Sequence, residues 1–227
     1  MKGMVILMKT VNDMVQKYYS SNDFNMLRDK SKKDYQYFLT VMTGTFGDVA
    51  YDELTSKQAK HAYEEWVVRG ISFANHICTV SSLVYRYAID MEYATFNPFA
   101  SVRRKTPPQR KVVWSEDDVR NFLDKAYSQF EYRSLGLIVH MAYEWCQRLG
   151  DMRLLTWDNL DLVDKKLHLE QSKRRATVTL PIDDDLLSML TQQQDDFGFQ
   201  QYVAPRTSPV HGEYEPYSID RLGKAAR

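Results

Sequence analysis

The sequence predicts a mainly α-helical protein with two domains, the second of which adds a small β-hairpin to its helices. Apolar residues recur at three- and four-residue steps through most of the chain, as in amphipathic helices. A segment with three prolines, "FNPFASVRRKTPPQRKVVWSEDD", interrupts this pattern midway. Farther on, "KKLHLEQSKRRATVTLPI" alternates apolar and polar residues on both sides of a basic turn, as two antiparallel strands do. The first half is therefore expected to be helical and the second half mixed α/β.

The N-terminal half is expected to form four or five helices over residues 8–93. Helical spacing is found in "TVNDMVQKYY", "SKKDYQYFLTVM", "TSKQAKHAYEEWVVRG" and "SFANHICTVSSLVYRYAIDME". Thr55 is expected to cap the third of these helices, because its hydroxyl can accept a hydrogen bond from a free backbone N–H. Gly70 is expected to stop the same helix.

The proline-containing segment predicts a domain linker at residues 101–111. This stretch has five basic residues and no acidic one, and prolines block a helix there. Ser115 followed by "EDD" then predicts a helix start, since acidic side chains suit the positive end of the helix dipole. The second domain is therefore expected to begin at residue 112.

The second domain is predicted to hold several helices and one hairpin. The helices are expected in "SEDDVRNFLDKAY", "RSLGLIVHMAYEWC" and "DDDLLSMLTQQQ", and "SIDRLGKAAR" is expected to begin another. In "EWCQRLGDMRLLTWDNLDL" four residues are expected to form a buried helical stripe. They are Trp145, Leu149, Met152 and Leu155.

Composition excludes several classes of protein. The formal net charge of zero argues against a uniformly basic nucleic-acid binder, yet residues 1–111 carry 16 basic against 11 acidic residues, and residues 112–227 carry 14 against 19. The two cysteines, Cys78 and Cys146, have no metal-ligand or CxxC spacing, so they are expected to be buried thiols in a reducing, cytosolic compartment. Histidine spacing predicts no metal site, no glycine-rich loop predicts phosphate binding, and no segment is long enough to span a membrane.

The order of these parts resembles the tyrosine recombinases, in particular the phage-type integrases. The resemblance covers nearly the whole chain: residues 1–100 are similar to the helical, SAM-like core-binding domain, residues 101–111 to its linker, and residues 112–227 to the N-terminal portion of the catalytic domain. In "WCQRLGDMRLLTW", Arg148 and Asp151 occupy the arginine and acid positions of the family's first catalytic box. Trp145 and Cys146 stand where that box usually has Thr and Gly.

The resemblance implies strand cleavage and rejoining by a tyrosine, with no metal or cofactor. Arg148 would bridge the non-bridging oxygens of the scissile phosphate, and Asp151, on the same outward helix face, would orient Arg148 or an adjacent active-site group. Lys173, at the position of the family's hairpin lysine, would donate a proton to the departing 5′-oxygen. The implied partner is double-stranded DNA at attachment-type sites, with self-association on the DNA, in the cytoplasm of a bacterial or phage-infected cell.

Further basic and polar residues are candidates for DNA contact. Those in the first domain could face DNA from a helix, those in the linker could bind phosphates, and two flank the hairpin lysine. They are Arg69, Asn75, His76, Arg86, Arg103, Arg104, Lys105, Arg110, Lys111, Arg174 and Arg175. Which of them reads bases is left open.

The family's second box, H-x-x-R, is missing from the 227 residues, and so is a tyrosine after it. His211 is followed three residues later by Tyr214 rather than by arginine. The chain is therefore expected to be cut off before the second box and unable to cleave DNA by itself. The alternatives are a non-catalytic DNA-binding remnant that regulates a full-length recombinase, and a helical protein-interaction module.

Simpler interpretations stay open for individual residues. Arg148 and Asp151 could be an ordinary surface ion pair three residues apart on a helix. Lys173 could be a plain turn lysine, and the basic linker could be a solvated spacer.

Overall fold

The chain divides into two compact units, Met1–Arg110 and Lys111–Arg227. A computed structural model describes residues 10–109, 111, 113–173, 175–219 and 222. The mainly helical fold with a small antiparallel sheet confirms the predicted fold class. No described helix is both long and apolar enough to cross a membrane.

The regular elements of the first unit's described part are all helices, apart from one isolated β-bridge between Thr10 and Ala50. Its helices are α1 (Val11–Tyr19), α2 (Asn22–Asn25), α3 (Asp29–Phe46), α4 (Ser56–Val67) and α5 (Ile71–Asp90). Side chains from α1, α3, α4 and α5 form one core, and two residues beyond α5, Phe99 and Val102, complete it. The largest fully buried side chains of this core are Tyr18, Tyr63, Tyr85, Phe99, Met14, Leu39, Met42, Leu54 and Ile77.

Side-chain caps mark the starts of α1, α2 and α4, whereas α3 and α5 begin without one. Thr55 accepts a hydrogen bond from the Gln58 backbone N–H while Gln58 bonds back to Thr55, so the predicted cap of α4 is confirmed as a capping box. Gly70 does not end α4 as predicted, because that helix stops at Val67. With φ at +132°, a conformation open to glycine, Gly70 instead turns the chain into α5.

The second unit packs helices around a three-stranded sheet. Its helices are α6 (Glu116–Tyr127), α7 (Phe130–Glu144), α8 (Leu149–Met152) and α9 (Asp184–Phe197). A 3₁₀ turn (Trp157–Asn159) leads into β1 (Leu160–Asp161), β2 (Lys166–Glu170) and β3 (Thr177–Pro181), which pair antiparallel in the order β1-β2-β3. Leu167 and Leu169 of β2 point into the core, so the predicted hairpin is confirmed. Ser115 caps α6 as predicted.

The segment after α7 differs from the expected run of helix. Helix α7 ends at Glu144, and the short α8 begins only after four intervening residues, at Leu149. Because the chain bends between them, the predicted buried stripe is broken. Trp145, Met152 and Leu155 are buried, whereas Leu149 is 44% exposed.

One hydrogen bond near the end of the described chain fits the start of the last predicted helix. The Leu222 backbone N–H donates to the Ser218 carbonyl at 3.0 Å, as in a helical turn, and Leu222 is buried. Residues 220, 221 and 223–227 lie outside the described part, and so does most of the helix predicted from "SIDRLGKAAR".

Candidate active site and nucleic-acid interface

Arg148 and Asp151 lie together at the start of α8. Arg148 is the N-cap residue of this helix, and its Nη1 lies 3.5 Å from Oδ2 of Asp151. The arginine side chain is 43% exposed, whereas the aspartate side chain is only 3% exposed. The expectation that both side chains face outward is therefore wrong for Asp151. The carboxylate is buried beneath a guanidinium that stays open to solvent.

The buried carboxylate of Asp151 is under-satisfied. Within the described residues its Oδ2 atom has no hydrogen-bond donor, and the contact with Arg148 is an ion pair at the limit of hydrogen-bonding distance. Leaving a buried polar atom without a donor costs about 1–3 kcal/mol, so the ion pair with Arg148 is the main compensation that the described residues offer this oxygen. An ordinary surface ion pair would not bury one partner in this way.

The turn that presents Arg148 ends α7 in a Schellman motif. The Gln147 N–H donates to the Ala142 carbonyl at 3.1 Å, and the Cys146 N–H donates to the Tyr143 carbonyl at 3.3 Å. Cys146 takes the left-handed conformation that this motif requires, with φ at +49°. Its side chain is exposed, because the turn points it away from the core, so the prediction of a buried thiol is wrong here.

Cys78, by contrast, is a buried thiol as predicted. It lies on α5 in the core of the first unit. Burial raises the pKa of its thiol to about 12, which keeps it protonated at neutral pH.

Two glutamines connect the Arg148 turn to the hairpin that carries Lys173. Gln171, at the end of β2, donates from Nε2 to Oε1 of Gln147 at 2.7 Å. Gln147 in turn donates to the Trp145 carbonyl at 2.9 Å. The sequence analysis missed this contact, because nothing in the spacing of two polar residues 24 positions apart indicates that they meet.

A third side chain joins α7 to the same hairpin. The indole N–H of Trp145 donates to the backbone carbonyl of Pro181, the last residue of β3, at 2.9 Å. Trp145 is thus both buried and hydrogen-bonded. Together with Gln147, it fixes both strands of the hairpin near the start of α8.

Lys173 lies in the exposed turn of the hairpin, as predicted. The turn closes with a bond of 2.9 Å from the Arg175 N–H to the Gln171 carbonyl. Arg175 has φ at +55°, and its guanidinium contacts Glu170 at 3.1 Å, so part of its charge is compensated within the hairpin. Arg174 lies outside the described residues.

The candidates for DNA contact on the helices of the first unit differ in their surroundings. Arg86 is exposed on α5, and His76 is exposed but stacks on Phe38, with ring planes 10° apart. Arg69 is exposed and lies over the ring of Phe73, 4.1 Å from its centroid. These positions leave Arg69, His76 and Arg86 accessible to a ligand.

Asn75 and Lys105 do not have the freedom that the sequence suggested. The side-chain amide of Asn75 bonds to the hydroxyl of Tyr63 and to the backbone carbonyl of Lys105. The Lys105 ammonium forms an ion pair with Glu64. Asn75 is therefore committed inside its own unit, and the charge of Lys105 is compensated.

The other basic side chains of the linker are less compensated by nearby carboxylates than Lys105 is. Arg103, Arg104 and Lys111 are exposed, and within the described residues no carboxylate lies within 4 Å of their charged groups. Arg110 lies outside the described residues. Among the linker positions that the structure describes, these three are the cations available to a phosphate.

A second cluster of titratable groups lies where α6 and α7 meet, with Tyr127 at the end of α6 and with His140 and Glu144 on α7. The hydroxyl of Tyr127 lies 2.9 Å from Nδ1 of His140. Burial lowers the pKa of His140, although Asp183 and Asp185 oppose this shift. Burial raises the pKa of Glu144, and Asp183 adds to that effect. Each shift favours the neutral form of the side chain.

Comparison with known proteins gives one family match, over part of the second unit, and several matches of fold. Residues 113–206 match the phage integrase family. The structure of a lambda integrase dimer bound to a COC′ core site matches 96% of this chain and 62% of the lambda integrase chain, with a TM-score of 0.78 and 20% sequence identity. A lambda integrase tetramer bound to a Holliday junction has a TM-score of 0.80, with the same identity and coverage.

A more distant integrase has the same fold. The Tn1549 transposon integrase in complex with circular intermediate DNA is 14% identical, with a TM-score of 0.72, over 96% of this chain and 78% of its own. No curated protein sequence matches the chain. At these identities the likeness establishes the fold, and the chain spans 62% of the lambda integrase chains in the dimer and the tetramer.

Proposed function

We propose that the chain acts in site-specific DNA recombination, because residues 113–206 match the phage integrase family. Its partner is double-stranded DNA at attachment-type sites, on which copies of the chain associate. The integrases with the same fold were solved on DNA as a dimer and as a tetramer, which supports this choice of partner. The cytoplasm of a bacterial or phage-infected cell is the compartment that suits this role.

The observation that carries the proposal is the half-exposed guanidinium of Arg148 above the buried carboxylate of Asp151. A guanidinium has five N–H donors in one plane, and contact with one carboxylate oxygen leaves most of them free. The free donors match the non-bridging oxygens of a phosphodiester, on which charge grows in the transition state. Asp151 acts through Arg148, by holding the plane of the guanidinium.

Lys173 supplies the general acid in this proposal. Protonation of the departing 5′-oxygen needs a donor that can approach the DNA, and an exposed lysine in a hairpin turn has that reach. The bond between Gln171 and Gln147 keeps the base of the hairpin beside the Arg148 turn. The two predicted groups are thereby held in one part of the unit.

Duplex binding as a function of salt tests the proposal. The wild-type chain is expected to bind duplex DNA with an affinity that falls as salt rises, because each neutralised phosphate releases counterions. Arg148→Ala should lower the slope of log affinity against log salt by about one, the contribution of roughly one phosphate contact. Arg120, an exposed arginine paired with Glu116 on α6, provides the matched control, since Arg120→Ala should leave the slope unchanged.

The outcomes separate the proposal from its alternatives. A folded wild-type chain that binds no duplex at low salt would contradict it and favour a protein-interaction module. Equal slopes for the Arg148→Ala and Arg120→Ala variants would remove Arg148 from the phosphate site.

A second candidate function is DNA binding without strand cleavage. It is favoured by the sequence itself, in which none of the five histidines is followed by arginine at the third position. A chain without that arginine, and without a nucleophilic tyrosine after it, would bind DNA and leave it uncut. Incubation with a nicked attachment-type duplex, followed by denaturing electrophoresis, should then show no covalent protein–DNA adduct, and an adduct would reject this candidate.

A further inference from the structure

The basic segment after α5 is held on the first unit by two side chains. The hydroxyl of Tyr63 accepts a hydrogen bond from the Lys105 backbone N–H at 2.7 Å and donates one to Oδ1 of Asn75 at 2.8 Å. Nδ2 of Asn75 completes the set by donating to the Lys105 carbonyl at 2.9 Å. Both backbone polar groups of Lys105 are thus bonded to side chains of α4 and α5. We call these three bonds the Lys105 clamp.

A second anchor lies three residues before Lys105. Val102 is 8% exposed and belongs to the core of the first unit, together with Phe99. Arg103 and Arg104 therefore lie between a buried valine and a clamped lysine. Their backbone is fixed at both ends, while both side chains are exposed.

The anchored residue and the two residues before it also differ in how their charges are compensated. Lys105, the clamped residue, pairs its ammonium with Glu64 of α4. For Arg103 and Arg104, no carboxylate of the described residues lies within 4 Å of the guanidinium groups. The structure thus compensates the cation that anchors the segment and leaves the two cations before it available.

We propose that the Lys105 clamp holds Arg103 and Arg104 ready to contact the backbone phosphates of duplex DNA. Tyr63 and Asn75 are then positioning residues, which raise the affinity for DNA without touching it. The physical reason is entropic, because a segment that is already ordered loses less conformational freedom on binding than a mobile one. This inference rests on the proposed DNA-binding function.

The first experiment tests the clamp without DNA. In Tyr63→Phe and Asn75→Ala, trypsin is expected to cut after Arg103 and Arg104 several-fold faster than in wild type, because the released backbone can enter the protease. Tyr85→Phe is the matched control. It removes another buried tyrosine hydroxyl of the same unit, which bonds to the Tyr51 carbonyl at 3.1 Å, far from the linker in sequence.

The second experiment measures the affinity of the same chains for a mixed-sequence DNA duplex. Tyr63→Phe should raise Kd about three- to tenfold, the range expected when a few side chains must be ordered on binding. The salt slope should not change, since no phosphate contact is removed. In an R103A/R104A background the slope should fall by about two, and Tyr63→Phe should then cause no further loss of affinity.

The result decides between positioning and simple stability. Trypsin cleavage in Tyr63→Phe no faster than in Tyr85→Phe would overturn the clamp, and so would a loss of affinity that persists in the R103A/R104A background. A wild-type chain that binds no duplex would overturn the proposed function, and the role of the clamp in DNA binding with it. These failures are distinct, because the protease assay contains no DNA.

Discussion

Replacing Cys146 with glycine is expected to stabilise the second unit. Cys146 follows the C-cap of α7 and has φ at +49°. In this left-handed region the Cβ of an L-residue crowds the following carbonyl, which costs about 1–2 kcal/mol. Glycine has no Cβ, so it can close the same Schellman motif without that cost.

The expected net stabilisation by Cys146→Gly is smaller than the backbone strain that the substitution relieves. Glycine also increases the conformational freedom of the unfolded chain, an opposing effect of about 0.4–1 kcal/mol. Little packing is lost, because the Cys146 side chain is exposed and its described polar contact, from Sγ to the Tyr143 carbonyl, is 3.7 Å long. We expect a net stabilisation of about 0.5–1 kcal/mol, which for a domain of this size raises the Tm by about 2–5 °C.

Urea unfolding followed by tryptophan fluorescence measures the effect. Cys146→Ala is the matched control, because it removes the thiol but keeps a Cβ in the left-handed conformation. The midpoint should rise for Cys146→Gly relative to both wild type and Cys146→Ala. If the glycine variant unfolds at the same urea concentration as the alanine variant, or lower, the argument from backbone strain is refuted.

Three further changes test the second unit. Acidification from about pH 7.5 to about 5.5 should lower the unfolding free energy of wild type more than that of His140→Gln. Burial lowers the pKa of His140, so below pH 6.5, the ordinary pKa of histidine, the unfolded chain binds more protons than the folded one. A larger loss of unfolding free energy in His140→Gln than in wild type would contradict this reasoning. Gln171→Ala should speed trypsin cleavage of the hairpin turn, whereas the exposed Gln192→Ala should not. Arg133 is buried and bonds to the side chains of Gln193 and Asp196, so Arg133→Ala should cost about 2–4 kcal/mol in urea unfolding, against less than about 0.5 kcal/mol for the exposed Arg120→Ala.

The sequence predicted those elements that short-range chemistry determines. Thr55 and Ser115 cap their helices through bonds to residues three positions away, and such patterns are visible in the chain itself. The hairpin was predictable for the same reason, since the alternation of β2 is a property of neighbouring residues. Arg148 and Lys173 could be singled out because they lie within recognisable local patterns.

The rest depends on contacts between distant residues. Asp151 was expected on an outward face, yet it is buried, because α7 stops at Glu144 and α8 starts in a new direction. Asn75 was expected to be available to DNA, yet its amide is used by Lys105, 30 residues away. No local spacing encodes which polar side chains will meet across a fold.

The three-stranded sheet has a consequence for how copies of the chain can meet. In the described part of the chain β3 forms one edge of the sheet and β1 the other, and β1 is only two residues long. Strand β3 ends at Pro181, whose nitrogen has no hydrogen to donate to an added strand. The two-residue length of β1 limits pairing at one edge, and Pro181 ends the row of backbone donors at the other. In the assembly on DNA proposed above, these two edges would contribute few backbone hydrogen bonds between copies.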